Sequence, residues 1–126
     1  MLALTKPSTE RIQRFINDQR ELPFSYPEVG ATNSTLPARY NIDHNRIQLG
    51  HGEQTFNRAV AAVRSWKMHD LGWLELCWPD APIEVGSTVA VLCWHFGFWS
   101  CHPAKIVYVI DEADDHSRRF GFAYGT

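Results

Sequence analysis

The clearest helical pattern in the chain follows Gly52. Apolar side chains recur there at intervals of three and four residues, at Phe56, Ala59, Val60, Val63 and Trp66. This spacing places them on one face of a helix, and Glu53 in the first turn suits the helix macrodipole. We therefore predict an amphipathic helix whose apolar stripe packs against a sheet.

Beyond Leu71 the pattern changes to short apolar runs with the alternation that is typical of strands. The runs are Trp73–Trp78, Thr88–Phe96, Trp99–Ile110 and Arg119–Tyr124. Turn-forming residues separate them, at Pro79–Pro82, Gly97 and the charged segment Asp111–Ser117. These runs predict an antiparallel sheet of consecutive, hairpin-connected strands.

The N-terminal part of the chain predicts a helix, a loop and one more strand. Ser8 or Thr9 can cap a helix that runs to about Gln19. Its apolar face carries Ile12, Phe15 and Ile16. After a loop, Tyr40–Gly50 is predicted to form a strand with a bulge or a tight turn near Asp43–Asn45, because its apolar residues change alternation phase there.

These elements predict an α+β fold, with a curved antiparallel sheet packed on one long helix and an additional N-terminal helix. The chain of 126 residues is predicted to be a single domain, with residues 1–38 as N-terminal helix and loop and residues 39–126 as core. The last strand pattern, Phe120–Thr126, has no helix after it, so we expect an incomplete fold. An unpaired strand edge templates pairing with another chain, so we expect a homodimer through the C-terminal strand edge, marginal stability or aggregation.

Composition and charge narrow the classes of partner. The net charge is −2 and Lys and Arg do not cluster, which argues against nucleic-acid binding. The longest apolar stretch, Val85–Trp99, is too short and too interrupted to span a membrane, and the N-terminus has no secretory signal. We therefore expect a cytoplasmic protein. Aromatic residues make up 13% of the chain, including five Trp, so large flat side chains are expected to fill or line an interior.

Cysteine and histidine residues raise the question of a metal site. Cys93 and His95 share one strand face, and Cys101 and His102 could meet them across the following turn. Their spacing matches no zinc finger or ribbon. We therefore expect these side chains to pack in the core, with no metal and no cofactor.

Catalytic residue types are present without a recognised motif. No Gly-x-Ser-x-Gly sequence occurs, so the chain lacks the nucleophile elbow of the α/β-hydrolases. Glu75 alternates with two leucines and is expected to face solvent, as most carboxylates do. If the chain is an enzyme, Glu75, His95 and Tyr108 are the candidates for an inward-facing acid or base.

Several segments together resemble an uncharacterised protein family of bacteria and plants, the domain of unknown function DUF1990. They are Phe24–Thr32, Leu49–Glu53, Leu76–Pro79, Gly97–Ser100, Ile106–Glu112 and Phe120–Thr126. The resemblance runs from about Ile12 to the last residue, and it implies no catalytic residue. Family members usually continue through further strands and a C-terminal helix. The order of elements also looks like the helix-grip fold of StAR-related lipid-transfer and birch-pollen-allergen proteins, whose curved sheet wraps a helix around an apolar cavity.

The leading functional prediction is the binding of an apolar or amphipathic small molecule in a cavity between sheet and helix. The predicted lining consists of Phe56, Val60, Trp66, Trp94, Phe96, Tyr108 and Phe122. Two alternatives stay open, because a fold does not determine a function. One is an enzyme of the cyclase or hydrolase kind on the same fold, and the other is a truncated module that only binds another protein.

Overall fold

The computed structural model describes the whole chain from Met1 to Thr126. Its elements are β1 (Leu2–Ala3), α1 (Thr9–Arg20), α2 (Glu53–Arg64), β2 (Leu74–Cys77), β3 (Thr88–His95), β4 (Phe98–Ala113) and β5 (Arg118–Gly125). Short 3-10 helices lie at Ala31–Asn33 and Lys67–His69. The predicted α+β class is confirmed. Neither α-helix is long and apolar enough to cross a membrane.

All five strands form one curled antiparallel sheet, a half-barrel in which β4 is the central strand. Lys105 of β4 pairs with Thr88 of β3 on one edge and with Gly125 of β5 on the other. β1 pairs with the N-terminal half of β4, and β2 pairs with β3. The register of β4 and β5 shifts between Ile106 and Tyr108, a bulge that bends the long strand.

Each face of the sheet carries its own apolar cluster, because successive residues of a strand point to opposite faces. On the face that we call the α1 face, the buried residues are Ile12, Ile16, Ala90, Leu92 and Cys101. On the opposite face, which we call the Trp66 face, they are Trp66, Ile83, Val89, Val91, Ala104 and Ile106. The sheet is therefore covered by a different part of the chain on each side.

Local sequence explains why α1 forms and where it packs. The Ser8 side chain accepts a hydrogen bond from the backbone N–H of Arg11 at 3.3 Å, which caps the helix as predicted. Ile12 and Ile16 are about one turn apart, so both project onto the sheet. Burial of each such side chain contributes roughly 1.5–3 kcal/mol.

The structure corrects two of the predictions. Tyr40–Gly50 forms no strand, and its residues are exposed and pair with no sheet edge. The stripe on α2 is also less buried than its periodicity predicts. Phe56, Val60 and Val63 are half-buried, and only Trp66, beyond the helix end, is fully buried. The reason is that α2 packs mainly against β5, near the edge of the sheet, and not over its centre.

Candidate functional site

The segment between the two helices forms one side of a cavity that lies against the sheet and is partly open to solvent. We call it the loop cavity. It has a volume of about 320 Å³ and lies between residues 26–43 and the strands β4 and β5. Its apolar walls are formed mainly by Tyr26, Leu36, Tyr40, Ile42, Val107 and Tyr124.

Polar contacts hold the loop over this cavity. Thr32 Oγ1 and Tyr108 Oη are 2.7 Å apart, which ties the loop to β4. Glu28 accepts a hydrogen bond from Tyr40 Oη at 2.9 Å and forms an ion pair with Arg39. The cavity therefore combines apolar walls with a carboxylate whose charge is already balanced.

The residues predicted as a ligand lining do not converge on one cavity. Phe56, Tyr108 and Phe122 border an open depression of about 700 Å³ between α2 and the strands β4 and β5. Trp66 contacts Phe122 edge to face on the Trp66 face, with ring centroids 4.9 Å apart. Val60 is half-buried on α2. A binding role for these residues stays a prediction.

Trp94 and Phe96, the other two predicted lining residues, lie at the β3–β4 turn and are 53% and 96% exposed. Phe96 and Gly97 form a two-residue hairpin turn, with φ of 50° and 83°. Even-numbered residues of β3 lie on the α1 face, but after this turn the even-numbered residues of β4 lie on the Trp66 face. Trp94 therefore pairs with Trp99, whereas Phe98 lies on the opposite face of the sheet.

A polar cluster lies on the Trp66 face close to this turn. Ser100 Oγ is 3.0 Å from His95 Nε2 and 2.9 Å from His102 Nε2. Since a hydroxyl has one proton, Ser100 donates to one imidazole and accepts from the other. Ser100 is buried, and desolvation lowers the pKa of His102, so that its imidazole is mainly neutral at pH 7. A hydroxyl beside a neutral imidazole is the arrangement of a nucleophile and its general base.

Sequence reasoning missed Ser100, whereas the prediction that Cys101 packs in the core is confirmed. Ser100 pairs with Cys93 across the strands and shares its face, whereas Cys101 is buried on the α1 face. Burial there raises the pKa of the Cys101 thiol to about 11, so Cys101 is an unreactive core residue. No group of three or more His, Cys, Asp or Glu side chains is arranged to hold a metal ion. The alternation of side chains along β3 and β4, combined with a two-residue turn between them, would have predicted that His95, Ser100 and His102 lie on the same face.

The three residues nominated as acid or base lie in separate places. Glu75 is half-exposed and forms an ion pair with Lys6 at 2.6 Å, so the prediction that it faces solvent is confirmed. Tyr108 holds the loop by its bond to Thr32. His95 alone belongs to the serine-histidine cluster.

Comparison with known proteins places the chain among proteins of undescribed function. Residues 25–126 match the family described as domain of unknown function (DUF1990). A UPF0548 protein of Dictyostelium discoideum is 36% identical over all of this chain, which covers 63% of that protein. UPF0548 proteins of Deinococcus radiodurans and Arabidopsis thaliana are 30% and 22% identical over 100% and 99% of this chain, which covers 67% and 65% of them. The chain thus spans about two thirds of the length of these relatives. No solved structure matches it.

Proposed function

The chain belongs to the DUF1990 family, and we propose that it binds an apolar or amphipathic small molecule in the loop cavity. The observation that carries this proposal is the cavity itself, whose volume of about 320 Å³ and mainly apolar, aromatic walls are typical of ligand sites. At the rim, Arg39 balances the charge of Glu28, but the carboxylate of Asp43 forms no ion pair. Anionic ligands are therefore disfavoured, and the ligand is neutral or weakly cationic.

We further infer that residues 1–126 act as one domain of the helix-grip kind in a reducing compartment such as the cytoplasm. The curled antiparallel sheet is the feature that supports the helix-grip relationship. The cavity loop and α1 lie on this same sheet, which supports a single unit. The thiols of Cys77, Cys93 and Cys101 are all free, which suits a reducing compartment.

The test is titration of the protein with N-phenyl-1-naphthylamine, a neutral apolar dye that fluoresces when bound. We expect saturable binding of one dye per chain. Leu36→Asp adds a charge to the cavity wall, so it should weaken binding at least tenfold, a cost of about 1.4 kcal/mol or more. Val85→Asp is the matched control, since Val85 is exposed and does not line the cavity. Equal effects of the two variants, or binding that never saturates, would contradict the proposal.

A second candidate function, ester hydrolysis, is favoured by the serine-histidine cluster. In this reaction Ser100 Oγ bonds to the carbonyl carbon of an ester while an adjacent imidazole takes the hydroxyl proton. The imidazolium then gives that proton to the departing alcohol, which leaves an acyl group on Ser100. Water, deprotonated by the same imidazole, releases the acid and regenerates the serine.

Labelling with a fluorophosphonate probe tests this candidate. We expect a covalent adduct on Ser100 that Ser100→Ala abolishes and that Ser34→Ala, an exposed serine of the loop, leaves unchanged. Absence of an adduct in the wild-type protein would remove the hydrolase alternative without affecting the loop-cavity proposal.

A further inference from the structure

Exposed apolar side chains cluster at one end of the sheet, around the hairpin turn between β3 and β4. Phe96 in the turn is 96% exposed, and Trp94, two residues before it, is 53% exposed. On the neighbouring strands, Trp73 directly before β2 and Leu4 directly after β1 are 56% and 87% exposed. We call these four residues the apolar tip.

Backbone pairing brings the residues of the tip to the same end of the sheet. The N–H of Trp94 donates to the carbonyl oxygen of Trp73 at 3.1 Å. β1 runs beside the start of β4, with Ala3 opposite Trp99, so Leu4 follows on the side of the turn. Phe96 lies beyond the strands, because the turn has only two residues. The tip is therefore convex, with one aromatic ring at its outermost point.

The turn holds Phe96 in a conformation that a bulky residue disfavours. The φ angles of 50° at Phe96 and 83° at Gly97 are those of a type I′ turn, whose first position is usually Asn, Asp or Gly. Bulky residues rarely adopt this left-handed region, and where they do the reason is commonly functional. The ring gains little packing in return, because it is almost fully exposed.

The distribution of charge around the tip indicates what covers it. No Asp, Glu, Lys or Arg occurs between Glu84 and Lys105, a stretch that contains all of β3 and the first part of β4. On the strands to either side, Lys6 and Glu75 form an ion pair with each other at 2.6 Å. The tip can therefore leave water without taking an unpaired charge with it.

A convex and uncharged tip suits a lipid bilayer better than another protein. A stable protein–protein interface buries about 800 Å² on each partner, an area that a narrow two-residue turn does not offer. Aromatic side chains are enriched where membranes meet water. Phe96 lies two strand residues, roughly 7 Å, beyond Trp94, which matches the depth of about 5–10 Å to which apolar groups enter the membrane interface.

We propose that the apolar tip docks on the surface of a zwitterionic lipid bilayer. Phe96 inserts below the headgroups, and the indoles of Trp73 and Trp94 lie at headgroup level. The net charge of −2 and the lack of clustered Lys and Arg provide no attraction to anionic lipids, so the apolar side chains supply the binding. No residue of the tip lines the loop cavity, so this docking is independent of the ligand proposed there.

Two measurements on the wild-type protein test the docking. The first is flotation with phosphatidylcholine vesicles, and we expect the protein to float with them. The second uses phosphatidylcholine brominated near the top of its acyl chains, which should quench the tryptophan fluorescence. Phosphatidylserine should not strengthen the binding and high salt should not release it, because no charge attraction is involved.

Phe96→Asn separates docking from folding. Asn suits the left-handed position, so the urea midpoint should be no lower than that of the wild type. Binding to vesicles should weaken about tenfold, a factor that burial of one Phe side chain readily supplies. Ile47→Asn is the matched control, since Ile47 is 81% exposed and lies outside the tip. Leu36→Asp should also bind vesicles normally, which excludes a lipid held in the loop cavity.

Several results would overturn the proposal. They are a wild-type protein that does not float with phosphatidylcholine, a Phe96→Asn variant that binds as tightly as the wild type, and binding confined to anionic vesicles. Sedimentation without lipid tests the other occupant. Self-association that Phe96→Asn abolishes would assign the tip to a contact between two copies of the chain instead.

Discussion

Replacement of Ile16 by alanine tests whether α1 is an integral cover of the sheet. Ile16 is completely buried, in one cluster with Ala90, Leu92 and Cys101. The substitution removes three carbon atoms, worth about 0.8 kcal/mol each in transfer free energy, or roughly 2.4 kcal/mol together. The cavity that remains adds to this, because the backbone of α1 and β3 relaxes only partly. We expect a total loss of about 3–4 kcal/mol, within the range for such changes.

Urea unfolding followed by tryptophan fluorescence measures this loss. Trp99 packs against the α1 cluster and serves as a local reporter. With a slope of about 2 kcal/mol per molar urea, the midpoint should fall by about 1.5–2 M at an unchanged slope. The folded state should persist without denaturant, since native proteins have a stability of roughly 5–15 kcal/mol.

Arg14→Ala is the matched control on the same helix. Arg14 is exposed and alanine is the better helix former, so the midpoint should change by less than the equivalent of about 0.5 kcal/mol. If Ile16→Ala lowers the midpoint no more than Arg14→Ala does, α1 does not cover the sheet, and the account of the α1 face is wrong.

Further predictions concern α2, the histidines, metal and association. Val63→Asp should lower the free energy of unfolding by about 1–3 kcal/mol, because Val63 is half-buried, and Ala61→Asp on the exposed side of α2 should cost much less. Burial lowers the pKa of His69, so the unfolded chain binds more protons than the folded chain below about pH 6.5. The free energy of unfolding should therefore decrease as the pH is lowered through this range. This dependence, measured by urea unfolding at several pH values, should weaken in His69→Phe. Elemental analysis should find no stoichiometric zinc, and a zinc ion lost on Cys93→Ser would contradict this. Sedimentation should show dimers that form through the outer edge of β5, which pairs with no strand, and a monomer at every concentration would exclude them.

The helices and most of the strands follow from local features of the sequence. The start of α1 could be predicted because a serine cap is a local interaction between residues three apart. The strands from β2 to β5 could be predicted because apolar alternation and turn residues are also local features. The same evidence failed for Tyr40–Gly50, since a strand needs a hydrogen-bonding neighbour as well as a suitable pattern, and no sheet edge meets that segment.

Which side chains meet depends on how distant segments of the chain pack together. The predicted ligand lining assumed that α2 crosses the middle of the sheet, whereas α2 lies over β5 and the segment before it forms one side of the loop cavity instead. His69 could not be recognised from its neighbours in sequence, because its burial depends on Trp66 and on Tyr124, more than fifty residues away along the chain. Ser100 depends in the same way on the turn that returns β4 alongside β3. Local periodicity sets the face on which a residue points, but distant segments decide whether that face is covered, open or a cavity.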